Sequence, residues 1–460
     1  MTTQHYSTSS LQEMDNHFVH PWEDVTALGS NKRTMIAQAS GIHITDTDGH
    51  RMIDGPGGMW CVNVGYGREE IIGAIAEQIR QLSYFSPWSV SASPAARLAE
   101  RLAALAPGDL NHVFFTTCGS TAVDSALRFI FFYNNCLGRP EKKQVISRIG
   151  AYHGSTYLSA ACSGKLSEKQ NMDMAAERVH LLPPPDSRLR PAGKSLEDFC
   201  RQKVRDLENK ILELGPNRVA AFIAEPILAS GGVIIPPAGY HKKCLEVCRK
   251  YDVLYVSDEV VTAFGRLGHH FASEDVFGVV PDIITTAKGL TSGYVPMGAV
   301  LISDRLIQDA AMASNGPRNF FNGFTYSGHP VAAAAALASL DIIEREGLLG
   351  HVRSVSDHFR ERLKALEELP VVAEVRVAGL MAGIECVLEP HCPDEVRDYA
   401  FALKVDRFCQ NLGLMVRPIY NTCVMSPPLV ISETEIDEMA RILRTGIEQA
   451  TADARAGVEV

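Results

Sequence analysis

The sequence predicts an α/β protein, with a large domain on a mostly parallel central sheet and a smaller α+β domain beside it. Three observations carry this. A chain of 460 residues can bury more than one core. Between Arg68 and Ile302 short β-rich runs alternate with helical stretches, the order that produces parallel strands covered by helices on both faces. After Pro330 that alternation gives way to long helices around two adjacent strands.

At the N-terminal end a polar stretch is followed by three short strands, Met35–Ala37, Ile42–Thr45 and Arg51–Ile53. The turn Asp46–His50 makes the last two a hairpin, and Asp54-Gly-Pro-Gly-Gly58 reads as a tight loop. Arg68–Ser83 and Pro94–Leu105 have helical periodicity, Val113–Thr116 is a strand, and a helix begins after Cys118-Gly-Ser120. Further strands are expected at Val145–Ile149, Val179–Leu182, Val219–Ala224, Leu254–Asp258, Ile283–Ala287 and Ala299–Ile302. Helices at Leu196–Leu214 and Tyr240–Tyr251 lie between them. Pro330 opens a long alanine-rich helix, Val371–Val377 and Met381–Val387 form an antiparallel pair, and helices follow at Glu395–Leu412 and Glu433–Thr451.

Hydrophobic content of 46% with 21% charged residues is that of an ordinary globular protein. A net charge of −10 with scattered basic residues speaks against nucleic-acid or anionic-membrane partners. The 11 cysteines show no CxxC pair and read as free thiols in a reducing compartment. Without a secretory start or a long apolar run, the expected location is cytoplasmic.

Four segments carry candidate chemistry. Thr116-Thr-Cys-Gly-Ser-Thr121 lies between a strand and a helix, where backbone N–H groups and hydroxyls suit an anion. Ser and Thr also cap ordinary helices, so helix capping is the alternative there. Leu254–Asp258 and Ala221–Glu225 each deliver a carboxylate to the carboxyl end of an apolar strand, where α/β proteins place ligands. A carboxylate facing a pyridine nitrogen keeps it protonated and strengthens the ring as an electron sink. Lys288 follows the apolar run Ile283–Ala287 and precedes Gly289. Desolvation at such a position lowers an amine's pKa, which suits a Schiff base and then a proton carrier. Asn322–Pro330 supplies hydroxyls in a glycine-punctuated loop. His153 and His329 have no metal-ligand company, so no metal is assigned.

From about His20 to Ile447 the chain resembles the class III aminotransferases of fold type I, in the ω-amino acid and amine:pyruvate branch. The resemblance is carried by MWCVNVGYGR at 59–68, YHGST at 152–156, AAFIAEPI at 220–227, DEV at 258–260, AKGLTSGY at 287–294 and GFTYSGHP at 323–330. It implies pyridoxal 5'-phosphate as cofactor, Lys288 as its Schiff-base lysine, Asp258 opposite the pyridine nitrogen, and Glu225 supporting Asp258. Tyr152 and Val260 would face the two sides of the ring, with His153 beside them. Gly119, Ser120 and Thr121 would hold the phosphate, with Thr325 reaching it from a neighbouring subunit. Trp60, Phe85, Trp88 and Tyr152 would line the substrate pocket, and Arg417, on a turn-like loop, would bind substrate carboxylate. The implied division is an N-terminal segment 1–60 packing with the small domain and active site, a cofactor-binding domain 61–325, and a small domain 326–460. A homodimer or dimer of dimers with shared sites is implied too. The implied reaction moves an amino group from an amine donor to a keto acid acceptor, with pyruvate preferred. A decarboxylase, aminomutase or racemase on the same scaffold, or a non-catalytic binder, are the alternatives. One departure stands out: the family phosphate loop usually reads Ser-Gly-Ser-Glu, against Cys118-Gly-Ser-Thr121 here.

Overall fold

A computed structural model describes residues 6–313, 318–389 and 392–456. Fifteen strands among these residues form three sheets. The first three, β1 (Ile36–Ser40), β2 (His43–Asp46) and β3 (Arg51–Asp54), run antiparallel in sequence order. The expected hairpin between the second and third is present, with Ile44 opposite Met52.

The central sheet contains β4 (His112–Thr116), β5 (Gln144–Arg148), β6 (Val179–Leu182), β7 (Val219–Ala224), β8 (Leu254–Asp258), β9 (Ile283–Thr286) and β10 (Gly298–Ile302). Their order across the sheet is β4-β10-β9-β8-β7-β5-β6. Five neighbouring strands, from β9 to β6, are parallel, while β10 runs antiparallel to both β4 and β9. Every residue of β7 and β8 is buried because helices cover both faces. On one side the 18-residue helix Gly119–Cys136 turns Ala122, Val123, Ala126 and Ile130 toward the sheet. On the other, Leu196–Leu214 and Tyr240–Lys250 bury Leu207, Ile211, Cys244 and Cys248 against Phe222 and Tyr255.

The third sheet holds β11 (Val372–Ala378) and β12 (Met381–Cys386) with two strands that follow β13 (Leu414–Met415), namely β14 (Arg417–Ile419) and β15 (Thr422–Met425). Its core is made with Leu348–Lys364, Glu395–Asn411 and Glu433–Arg455 through residues such as Phe359, Phe401, Ile436 and Leu443. β13 pairs in parallel with β3, Leu414 beside Ile53, which ties the N-terminal segment to this C-terminal layer.

The structure differs from expectation at four places that matter. A short helix at Thr8–Asp15 stands where only polarity was visible, and Leu348–Lys364 forms a long helix directly after the alanine-rich one. The glycine-rich stretch is a left-handed helical turn: Gly57, Gly58, Met59 and Trp60 have φ of 60°, 55°, 73° and 67°. Each of its two non-glycine residues costs of order 1–3 kcal/mol that its surroundings must offset. Arg417 lies on β14, paired with Val424, rather than on a loop.

Candidate active site

Parallel strands end on one edge, so β7, β8 and β9 bring their C-terminal residues together. Glu225 follows β7, Asp258 ends β8, and Lys288 stands two residues past β9. All three line one cavity of about 990 Å³, at the large end for a small-molecule site.

Lys288 has a φ of 44°, a left-handed conformation that bulky residues avoid. Burial holds its amine below the ordinary lysine value of 10.5, and the nearby Arg417 pushes in the same direction. Asp258, Glu225 and the Cys61 thiol oppose that shift without cancelling it. A lowered pKa makes this amine a better nucleophile and base at a given pH than an exposed lysine.

Asp258 is fixed on both oxygens. His153 Nδ1 lies 2.6 Å from its Oδ2, with both side chains buried, and the Val260 N–H donates to Oδ1 at 3.2 Å. His153 is itself held, since its N–H donates to Ser163 Oγ at 2.9 Å, while its buried Nε2 has no partner. Glu225 accepts the Tyr152 N–H at 3.0 Å and the Ala229 N–H at 3.1 Å. Burial raises its carboxyl pKa, with Asp258 adding to the effect.

The anion end lies at the start of the helix Gly119–Cys136. Thr117, Cys118, Gly119 and Ser120 face the cavity. Two glycines make the approach possible. A Cβ on Gly119 would stand 2.9 Å from Val260 Cγ1, and one on Gly154 would stand 2.6 Å from Ser120 Cα. Thr121 does not share in this. Its hydroxyl takes the N–H of Thr117 at 3.2 Å and of Cys118 at 3.0 Å, and donates to the Cys118 carbonyl at 2.9 Å. It therefore does the work of the glutamate in an ordinary capping box, and the capping alternative is the one realised at this residue.

Tyr152 and Val260 line the cavity, as do His153, Trp60 and Arg417. Arg417 is partly buried, burial lowers its pKa, and its Nε has no hydrogen-bond partner. Phe85 and Trp88 stand outside the cavity and are 59% and 88% exposed. Thr325 also lies outside it, on an exposed turn whose carbonyl accepts the Tyr84 hydroxyl at 2.8 Å. Cys61, Trp22 and Tyr420 enter the lining unforeseen. Only the position of Cys61, next to Trp60 in the sequence, signalled its place.

The residues fit a phosphorylated pyridine cofactor. A glycine-cleared helix N-terminus suits the phosphate, a positioned carboxylate suits a ring nitrogen, and a buried amine without a salt bridge suits the carbonyl.

Comparison with known proteins agrees with this geometry. The family model for aminotransferase class-III matches residues 26–447. The chain is 38% identical over 439 residues to putrescine–pyruvate aminotransferase of Pseudomonas aeruginosa, covering 95% of each protein. It is 38% identical over 413 residues to mitochondrial gamma-aminobutyrate transaminase 1 of Oryza sativa, covering 89% of this chain and 80% of that one. The omega transaminase of Pseudomonas jessenii in complex with PMP superposes with a TM-score of 0.93 at 33% identity, covering 98% of this chain and 100% of that one. This chain belongs to the class III aminotransferases, enzymes that use pyridoxal phosphate.

Proposed function

We propose that the enzyme moves an amino group from an amine or ω-amino acid donor to pyruvate by a ping-pong mechanism. The observation that carries this is the meeting in one cavity of a buried, pKa-depressed Lys288 and a half-buried Arg417 without an ion-pair partner. The first can move a proton, and the second can receive a carboxylate. Relatives named for putrescine, pyruvate and gamma-aminobutyrate span the same substrate range.

When bound, pyridoxal phosphate would supply the electron sink that makes proton removal from the donor carbon possible. This chain's residues do the rest. Lys288 Nζ would take the proton from the donor's amine-bearing carbon and return it on the far side of the amine nitrogen, two atoms away. Asp258, pinned by His153, would pair with the pyridine nitrogen and keep it charged. Glu225 accepts the Tyr152 N–H at 3.0 Å and would thereby hold the Tyr152 segment where the ring binds. Thr117, Cys118, Gly119 and Ser120 hold the phosphate. Arg417 binds the acceptor carboxylate, and its planar fork suits that group better than a lysine would.

A dimer completes the site in this proposal, with Thr325 reaching the phosphate of the other subunit. Exposed Phe85, Trp88, Phe321 and Tyr326 offer the apolar surface that such a contact would cover.

Separated half-reactions test the transfer. Amine addition should bleach the cofactor's long-wavelength absorbance and pyruvate should restore it. Bleaching accompanied by release of carbon dioxide, or racemisation without bleaching, would refute it.

A further inference from the structure

The left-handed turn at Gly57–Trp60 is closed by its own backbone, Trp60 N–H to Pro56 O at 2.9 Å and Cys61 N–H to Gly57 O at 2.9 Å. L-residues disfavour this hand because Cβ crowds the following carbonyl, so the turn needs outside support. It ends in Met59 and Trp60, two walls of the cavity.

Support comes from two sides. On one, the Tyr66 hydroxyl donates to Asp54 Oδ2 at 2.7 Å, and the N–H groups of Gly57 and Gly58 face the same carboxylate. Tyr66 cannot drift, because its N–H and carbonyl pair with Gly41 at 2.8 and 3.1 Å. On the other side, Ser426 Oγ donates to Pro56 O at 2.7 Å and its N–H donates to Gly55 O at 2.7 Å. Ser426 directly follows β15, the strand paired with the one carrying Arg417. Asp54 is buried at 2% exposure, forms no salt bridge among the described residues, and does not itself line the cavity. Its carboxylate is bonded to Tyr66 and faces the turn, and its own N–H donates to Ile42 O at 2.8 Å. The buried Arg266 guanidinium acts on this carboxylate from a distance without forming a salt bridge with it, so its burial is retained at a cost, and the groups it holds in return are the Tyr66 hydroxyl and the turn that carries Trp60.

We propose that Asp54, held by Tyr66, is a positioning residue that sets the Trp60 wall and thereby the size of amine donor the pocket accepts. This rests on the proposed reading of the cavity as the donor site. Loosening the clasp frees the turn to relax, so Trp60 withdraws from contact with small donors and leaves room for bulky ones.

The test uses the holoenzyme with a small donor (β-alanine) and a bulky aryl-alkyl amine, each with pyruvate. Tyr66→Phe removes one bond to the carboxylate, and Asp54→Asn is the second variant should the first fold poorly. The ratio of kcat/KM for bulky over small donor should rise on the order of tenfold, carried by KM. In a Trp60→Ala background the same Tyr66→Phe change should leave that ratio within about twofold, because coupled residues are non-additive. An equal fall for both donors, or the same change without Trp60, overturns the proposal. Acrylamide quenching in a Trp22→Phe/Trp88→Phe background reads the indole directly. Quenching of Trp60 should increase in Tyr66→Phe and Asp54→Asn, and unchanged quenching in both overturns the positioning role. A wild-type enzyme that turns over no amine would sink the transfer reaction and the donor-size claim together, while quenching still decides whether Asp54 sets Trp60.

Discussion

Replacing Arg417 by alanine should weaken pyruvate use far more than use of a carboxylate-free amine. The backbone at this position is fixed by pairing with Val424, so the change removes a side chain without moving a strand. Arg417 has a buried Nε without a partner and forms no salt bridge among the described residues, so its guanidinium can meet an incoming carboxylate. A hydrogen bond to a charged group contributes about 1.5–3 kcal/mol, which converts to roughly a 10- to 160-fold rise in KM for pyruvate. The lysine chemistry is untouched, so kcat in the acceptor half-reaction should change little. A carboxylate-free amine loses nothing, and gains where the desolvated charge had opposed it. Because the charge is unpaired in the free enzyme, Arg417→Met should leave thermal stability equal or higher. Arg417→Lys keeps the charge but loses the planar fork, and should fall between wild type and alanine. Stopped-flow absorbance on the two separated half-reactions gives both constants. Equal losses in the two halves, or a falling kcat with unchanged KM, would refute the carboxylate role. The structure also limits how this arginine can make way for an apolar donor: its strand cannot swing, so only rotation about the side chain can withdraw it.

Lys288→Ala should abolish turnover, and borohydride reduction followed by peptide mapping should label no other lysine in the wild type. A label elsewhere would displace Lys288 from its role. Asp258→Asn should keep cofactor but slow the amine half-reaction by on the order of a hundredfold or more, and a near-normal stopped-flow rate would count against the ring-nitrogen contact. Thr121→Ala should lower stability by about 1 kcal/mol through loss of the cap, while cofactor affinity measured by absorbance titration changes little; the reverse pattern would return Thr121 to the phosphate. Asp406 has its carboxyl pushed up by burial from 3.8 to about 6. Its folded form therefore binds a proton that the unfolded form has released, and the associated stability is present below pH 3.8 and lost as pH rises through 6. Asp406→Asn should abolish that slope in denaturant titrations, adding up to about 3 kcal/mol at neutral pH, and an unchanged slope would show that other groups cause it.

Much of the site was legible in the sequence because its parts hang on period and punctuation. Apolar runs ending in Asp258 and Glu225, and Lys288 placed between a β-rich run and a glycine, are local patterns. Alternation of strands and helices then implies that such ends meet on one edge. The strand positions of the central sheet could be read in order for the same reason.

What the sequence could not show depends on distance along the chain. The pairing of β10 with β4 joins segments far apart in the chain, to which local propensity is blind. The bond from His153 to Asp258 joins residues 105 positions apart, so the histidine carried only a neighbour's signal. Thr121 was compatible with either a phosphate contact or a cap, and the direction of one hydroxyl decided between them. Arg417 read as a loop residue because Pro418 and Asn421 look turn-like, yet β14 and β15 pair across them and bury it. Gly55-Pro-Gly-Gly58 read as a loop because glycine allows any hand. The left-handed turn running on into Met59 and Trp60 is met by Asp54, Tyr66 and Ser426, which only the fold brings together around it. Sequence alone thus determined the fold class and the chemical groups, since both follow from local pattern. Tertiary structure alone decided which groups touch, since each contact is made between segments that only the folded sheet brings together.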